Sequence, residues 1–218
     1  MKSKFLIAAI LCATVAVSSA PLRVQASEMD HRHGHEGYAS PAAVKLKEDS
    51  RKLWIEHVLW TRNYIVSALA GLEDKDVTLK RLLKNQQDIG NSFKPFYGEA
   101  AGNELTVLLQ EHIAIAGKLV GALASGNQAD AAKYNKEWYR NADDIAAFLS
   151  KKNPNWSEKA LKDLLYVHLQ LLSEDVAARL QKNWEADVAA FDKGEDHILM
   201  LADALTEGII KQFPQTFN

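Results

Sequence analysis

Leu164-Leu165-Tyr166-Val167-His168 opens the stretch that decides the fold, Leu164 to Ala204. From it a helical run leads to a polar break at Lys182-Asn183, and a second run carries His197. Two earlier segments open the same way, Leu108-Leu109-Gln110-Glu111-His112 and Leu53-Trp54-Ile55-Glu56-His57, so that the three histidines stand 55 and 56 residues apart. In each unit a second polar residue follows the histidine by 29 positions: Gln86, Asn141 and His197. The midpoints of these intervals are turn signals, Gly71-Leu72, Gly126-Asn127 and Lys182-Asn183. Two antiparallel helices joined at such a midpoint hold the paired residues at one height.

Apolar residues recur at steps of three and four throughout, and no segment alternates with the two-residue period of a strand. The expectation is an all-α protein, a six-helix bundle built from three repeated antiparallel helical hairpins over residues 41–213. Ser40-Pro41 supplies an N-cap and a first-turn proline. Helix 1 is expected to run to about Leu69, helix 2 from about Asp76 to Phe96, and a loop at Gly98-Glu99-Ala100-Ala101-Gly102 to precede helix 3. Asn153-Pro154-Asn155-Trp156 marks the boundary before helix 5, with Asn155 and Glu158 spaced as a capping pair. Pro214 ends the last helix.

The chain ahead of this domain reads differently. Met1-Lys2-Ser3-Lys4 is basic, Phe5 to Val17 is apolar, and Val24-Gln25-Ala26 offers a small-residue cleavage site. Residues 1–26 read as a signal peptide and place the protein outside the cytoplasm, periplasmic or extracellular, after cleavage near Ala26. Their removal takes Lys2, Lys4 and Arg23 from 26 basic residues and none of the 28 acids, so the formal charge moves from −2 to −5. That balance speaks against nucleic acid and against an anionic membrane as partners of the mature form. The single cysteine, Cys12, leaves with the signal, so no disulfide can form. Residues 27–40 read as a disordered polar tail in which His31, His33 and His35 are candidate metal ligands.

Within the bundle, the four remaining histidines all fall in buried stripes. His57, Gln86, His112, Asn141, His168 and His197 form one polar layer between apolar ones. A buried imidazole or amide without a partner costs on the order of 1–3 kcal/mol, so their concentration in one plane calls for a reason. Imidazole-rich sites suit transition metals, with copper or zinc favoured here, and the metal candidates are His57, His112, His168 and His197. If the hairpins close into a ring, His168, His197 and His57 form the site, and His112 reaches across as a fourth ligand. Gln86 and Asn141 stand behind the ligands, and Asp175 is placed to orient His168. The alternative is a non-metal scaffold or interaction module in which the layer only sets helix register. A second alternative is haem held by two histidines. Met200 and tryptophans 54, 60, 138, 156 and 184 read as packing residues, and Arg62, Arg140 and Arg179 as surface or stem-packed.

Trp60-Thr61-Arg62-Asn63-Tyr64-Ile65-Val66-Ser67-Ala68-Leu69, Phe96-Tyr97-Gly98 and Asn153-Pro154-Asn155-Trp156 resemble a family of uncharacterised exported bacterial all-helical proteins. The similarity covers nearly the whole mature domain. Some members carry the label glycosyltransferase, which these residues do not support: Asp143-Asp144 lies in a helix, and no nucleotide-sugar α/β domain is present. The resemblance assigns no catalytic residues. The sequence also lacks a nucleophile elbow, a phosphate loop, a zinc-protease motif and a reactive cysteine.

Overall fold

A computed structural model describes residues 40–217, so the signal segment, the tail and its three histidines lie outside the described residues. Five α-helices follow in chain order: α1 (Pro41–Ala70), α2 (Lys75–Ala124), α3 (Gln128–Lys152), α4 (Glu158–Leu180) and α5 (Trp184–Gln212). A short 3₁₀ turn at Pro214–Thr216 ends them, and no strand occurs among the described residues. The protein is all-α.

Local chemistry accounts for the helix boundaries. Ser40 caps α1 by accepting from the Ala43 amide at 3.2 Å, with Pro41 in the first turn. Asn127 and Asn183 cap α3 and α5 in the same way. At the start of α4 the expected Asn155–Glu158 pair is not used. Ser157 is the cap instead, while Asn155 donates through its backbone N–H and Nδ2 to Asn153 Oδ1. The turn residues Gly71, Gly126 and Lys182 all have positive φ, of 66°, 71° and 58°. At two of these three positions glycine accepts that conformation without steric cost; Lys182 does not.

The count of helices departs from the six expected. Helical assignment continues from Lys75 to Ala124, and only Gly98, at φ 84° and ψ 167°, has non-helical dihedrals. That conformation is essentially restricted to glycine. It reverses the chain: Gln110 Nε2 lies 3.5 Å from the Leu83 carbonyl, although 27 residues of straight helix would span about 40 Å. The backbones touch where the two arms begin to diverge. A Cβ at Gly90 would meet the Gly102 carbonyl at 2.6 Å, and a Cβ at Gly102 would meet the Gly90 carbonyl at 2.7 Å. Among the described residues α2 alone is long and apolar enough for a membrane span, yet this fold-back makes it part of the packed bundle.

Neighbours in sequence pack as neighbours in space, α1 with α2, α2 with α3, α3 with α4 and α4 with α5. α5 also packs on α1, which closes the ring. Bidentate Arg51–Asp203 bonds of 2.8 and 2.6 Å tie those two helices from outside. The core holds fully enclosed Leu82, Ile89, Leu169, Ile198, Leu201 and Leu205, each contributing roughly 1.5–3 kcal/mol by leaving water. Of the tryptophans, Trp54, Trp138 and Trp156 are core residues and Trp60 is partly buried against the apolar cluster of Tyr64, Ile65, Leu82, Ile113, Val120 and Val176. Trp184 and Met200 depart from the packing role expected of them, at 54% and 59% exposed. Both lie on the solvent side of α5, where the apolar stripe has already turned inward.

Candidate functional site

The polar layer is buried throughout. His57, His112 and His168 are at most 5% exposed, Gln86 and Asn141 are fully enclosed, and His197 is 9% exposed. A tether recurs across it. Asn85 Nδ2 donates to the Leu53 carbonyl at 3.0 Å, Asn141 Nδ2 to the Leu108 carbonyl at 3.2 Å, and His197 Nε2 to the Leu164 carbonyl at 2.7 Å. Each acceptor lies four residues before a histidine, His57, His112 or His168, at the height where that helix already bonds to itself.

One of those bonds determines the protonation pattern of His112. Asn141 spends its amide N–H on Leu108, so its Oδ1 faces His112 and accepts from Nδ1–H at 2.7 Å. His112 therefore turns a bare Nε2 inward. Gln86 is arranged the other way: its Nε2 donates to the Leu82 carbonyl at 3.1 Å and to Asn85 Oδ1 at 3.0 Å, and lies 3.1 Å from His57 Nδ1. With two hydrogens and three acceptors within 3.1 Å, the Gln86 amide is shared between Leu82, Asn85 and His57, and it does not fix the His57 tautomer as Asn141 fixes that of His112. Gln86 Oε1 is buried with no partner among the described residues.

His168 stands between them. Its ring centroid is 5.5 Å from that of His57 and 6.5 Å from that of His112, and nothing among the described residues hydrogen-bonds to it. A cavity of about 20 Å³ separates the three, bounded also by Tyr64, Leu82 and Trp138. That is space for one water molecule. Trp138, against whose ring His112 packs at 5.2 Å, has its Nε1 buried without a partner among the described residues. The cavity leaves no room for a haem macrocycle. Burial pushes the His57 imidazole down to about 3, with the charge of His112 adding to the effect, and it pushes His112 down to about 4. His168 is driven well below its usual value by burial and by the three histidines around it. At neutral pH these three rings are uncharged.

The structure thus gathers His57, His112 and His168, whereas the sequence favours His57, His168 and His197. His197 points its Nε2 into the Leu164 carbonyl instead, and His112, placed farthest by the closed-ring argument, is a direct neighbour of His168. Among the described residues no three side chains are already arranged to hold a metal ion.

Asp175 does not orient His168. It accepts from Arg62 Nη1 at 2.9 Å, and the same Nη1 donates to Asp187 at 2.8 Å; Arg179 donates to the second Asp187 oxygen at 2.8 Å. Asp175 and Asp187 are 2% exposed. Burial and the adjacent Asp187 carboxylate push the Asp175 carboxyl up from the usual range. Burial would also raise Asp187, but its bonds to Asp175, Arg62 and Arg179 hold it down. Arg62 and Arg179 are therefore ion-pair residues joining α1, α4 and α5, not surface arginines. Arg140 is a surface residue, paired with Glu111 and Asp144. His168, Arg62 and Asp175 line a shallow cleft on the outer side of the layer.

Comparison with protein-family models, curated proteins and solved structures returned no match.

Proposed function

We propose that the protein is an exported helical scaffold of three repeated hairpins, the arms of α2 serving as two rods, whose histidine–amide layer locks the register of each hairpin. The observation that carries this reading is the recurring tether onto Leu53, Leu108 and Leu164. Sliding a helix by one residue would move each donor about 1.5 Å along the axis and rotate it by about 100°, off its carbonyl. His197, a ligand in the sequence-based site, spends its Nε2 on this tether, which favours register over a metal centre. The experiment is replacement of His112 by Gln. The scaffold reading expects a folded protein whose melting temperature does not respond to copper or zinc.

A copper or zinc site on His57, His112 and His168 is the second reading, and the ring spacing favours it. Three imidazoles around one ion at about 2.0–2.1 Å place their centroids roughly 5–5.5 Å apart. The 5.5 Å pair meets this, and the 6.5 Å pair needs His112 to close by about 1 Å. Metal content of the mature protein with and without His168→Ala separates the readings, since the tail histidines contribute equally to both. A stoichiometric loss in the variant, with a concentration-dependent rise in Tm of the parent, establishes the metal site.

A further inference from the structure

A much larger cavity is remote from the histidines. It measures about 330 Å³ and lies between the first turns of α1, the end of the first arm of α2, and the last turns of α5. At the liquid share of about 30 Å³ per water it would hold about eleven molecules, while the spaces beside His168 are about 20 Å³. Packed interiors carry few voids larger than one water, and this space is instead a cleft open to solvent, with Ala42, Asp49 and Pro95 exposed at its rim and Trp54, Phe93, Leu205, Ile209 and Phe217 buried at its floor.

Its walls say what kind of ligand it suits. Trp54, Phe93, Phe96 and Phe217 supply rings, and the Phe96 and Phe217 rings stack at 5.9 Å to form a rigid side. Hydroxyls of Ser50, Ser92 and Thr206 border it; those of Ser92 and Thr206 donate to carbonyls of their own helices, so toward the cleft they offer acceptor oxygens. The one ionisable group on the wall is Asp49, already bound by Lys45 at 2.8 and 3.0 Å. The nearby cations Lys47 and Arg51 are engaged by Asp203. Among the described residues lining the cavity an anion would find no positive partner and would face a carboxylate. A cation would have to displace Lys45. Aromatic walls with a few convergent hydroxyls are the makeup of small-molecule sites of about 300–1,000 Å³.

We propose that this cavity binds an uncharged, ring-bearing amphiphile, with its apolar body against Trp54, Phe93, Phe96 and Phe217 and its polar end toward the hydroxyls. The test uses two probes that share an aromatic body and differ in one charge: neutral N-phenyl-1-naphthylamine and anionic 8-anilinonaphthalene-1-sulfonate, titrated by fluorescence into the mature protein. Expected is saturable one-to-one binding of the neutral amine, at least tenfold tighter than the sulfonate. Ser50→Trp, which fills the space, should weaken the amine at least tenfold. Phe217→Ala removes one wall supplied from beyond the last helix, where the ring packs on Phe96; it should weaken binding severalfold and decides the matter if Ser50→Trp does not fold. The proposal is overturned by absence of saturable amine binding, by equal affinity for the sulfonate, or by affinity unchanged in the folded variants.

Discussion

Replacing Asn141 by Leu tests the layer most directly. Asn141 is fully enclosed and makes two bonds, accepting from His112 Nδ1 at 2.7 Å and donating to the Leu108 carbonyl at 3.2 Å. Leu108 still receives its own helical bond in the variant, so its carbonyl is not orphaned. His112 Nδ1–H is. The lost bond is worth about 1 kcal/mol and the stranded buried donor about 1–3 more, for a total of roughly 2–4 kcal/mol. In a domain of this length that lowers Tm by roughly 4–16 °C. His112→Leu alone strands Asn141 Oδ1 and costs a comparable amount. The double variant removes both polar partners and leaves nothing stranded, so the bond is lost once instead of twice and both stranding costs vanish; its loss should fall short of the sum by about 3 kcal/mol or more. Urea denaturation followed by circular dichroism at 222 nm measures all four corners of the cycle. Losses that add to within about 0.5 kcal/mol mean that the pair is not a coupled unit, and the register argument fails with it.

Acid should destabilise the fold between pH 7 and 5. The folded values of His57 and His112 are lowered to about 3 and about 4, so their contribution is intact above the unfolded value of about 6.5 and is lost as pH falls toward the folded values. At pH 5 this amounts to about 2 kcal/mol for each ring. Asp175, raised in the fold, works in the opposite sense, but one carboxyl returns only about half of what the pair loses; a urea midpoint that stays flat from pH 7 to 5 contradicts the buried neutral layer. Arg62→Met strands Asp175, while Asp187 keeps Arg179, and should cost about 3 kcal/mol, whereas Asp175→Asn should cost much less, and equal losses in thermal melts would show that Arg62 does not hold the cluster. Lys182→Gly relieves the positive φ of 58° and should stabilise by about 0.5–1 kcal/mol, the relief of the left-handed strain less the added chain entropy; a lower melting temperature refutes that account of the turn.

Much of the architecture is legible in single residues. Ser40 and Pro41 mark the first helix start, and Gly71, Gly126 and Lys182 mark turns because a reversal needs a left-handed residue there. The six layer positions are buried as their periodicity requires. The break that follows Phe96-Tyr97 is a subtler case, since the composition from Gly98 to Gly102 reads as a five-residue loop. One glycine reverses the chain instead, and Gly90 and Gly102 then allow the arms to touch. Arg62 is hidden for a similar reason. It follows inward-facing Thr61, and its partners lie 113 and 125 residues away, so no local pattern announces an ion pair.

The helical class, the phase of each helix and the existence of a buried polar layer are properties of the sequence alone. They follow from local periodicity, turn chemistry and the cost of burying unpaired polar groups. Which histidines meet is a property of the folded chain. His168 lies beside His57 and His112, while His197 turns to the Leu164 carbonyl, because ring contacts depend on how helices cross and how side chains rotate. The bonding of each amide is likewise out of reach of the sequence. Gln86 and Asn141 occupy equivalent positions in their units, yet one presents nitrogen and the other oxygen to its imidazole, as dictated by the carbonyls and amides that compete for each group.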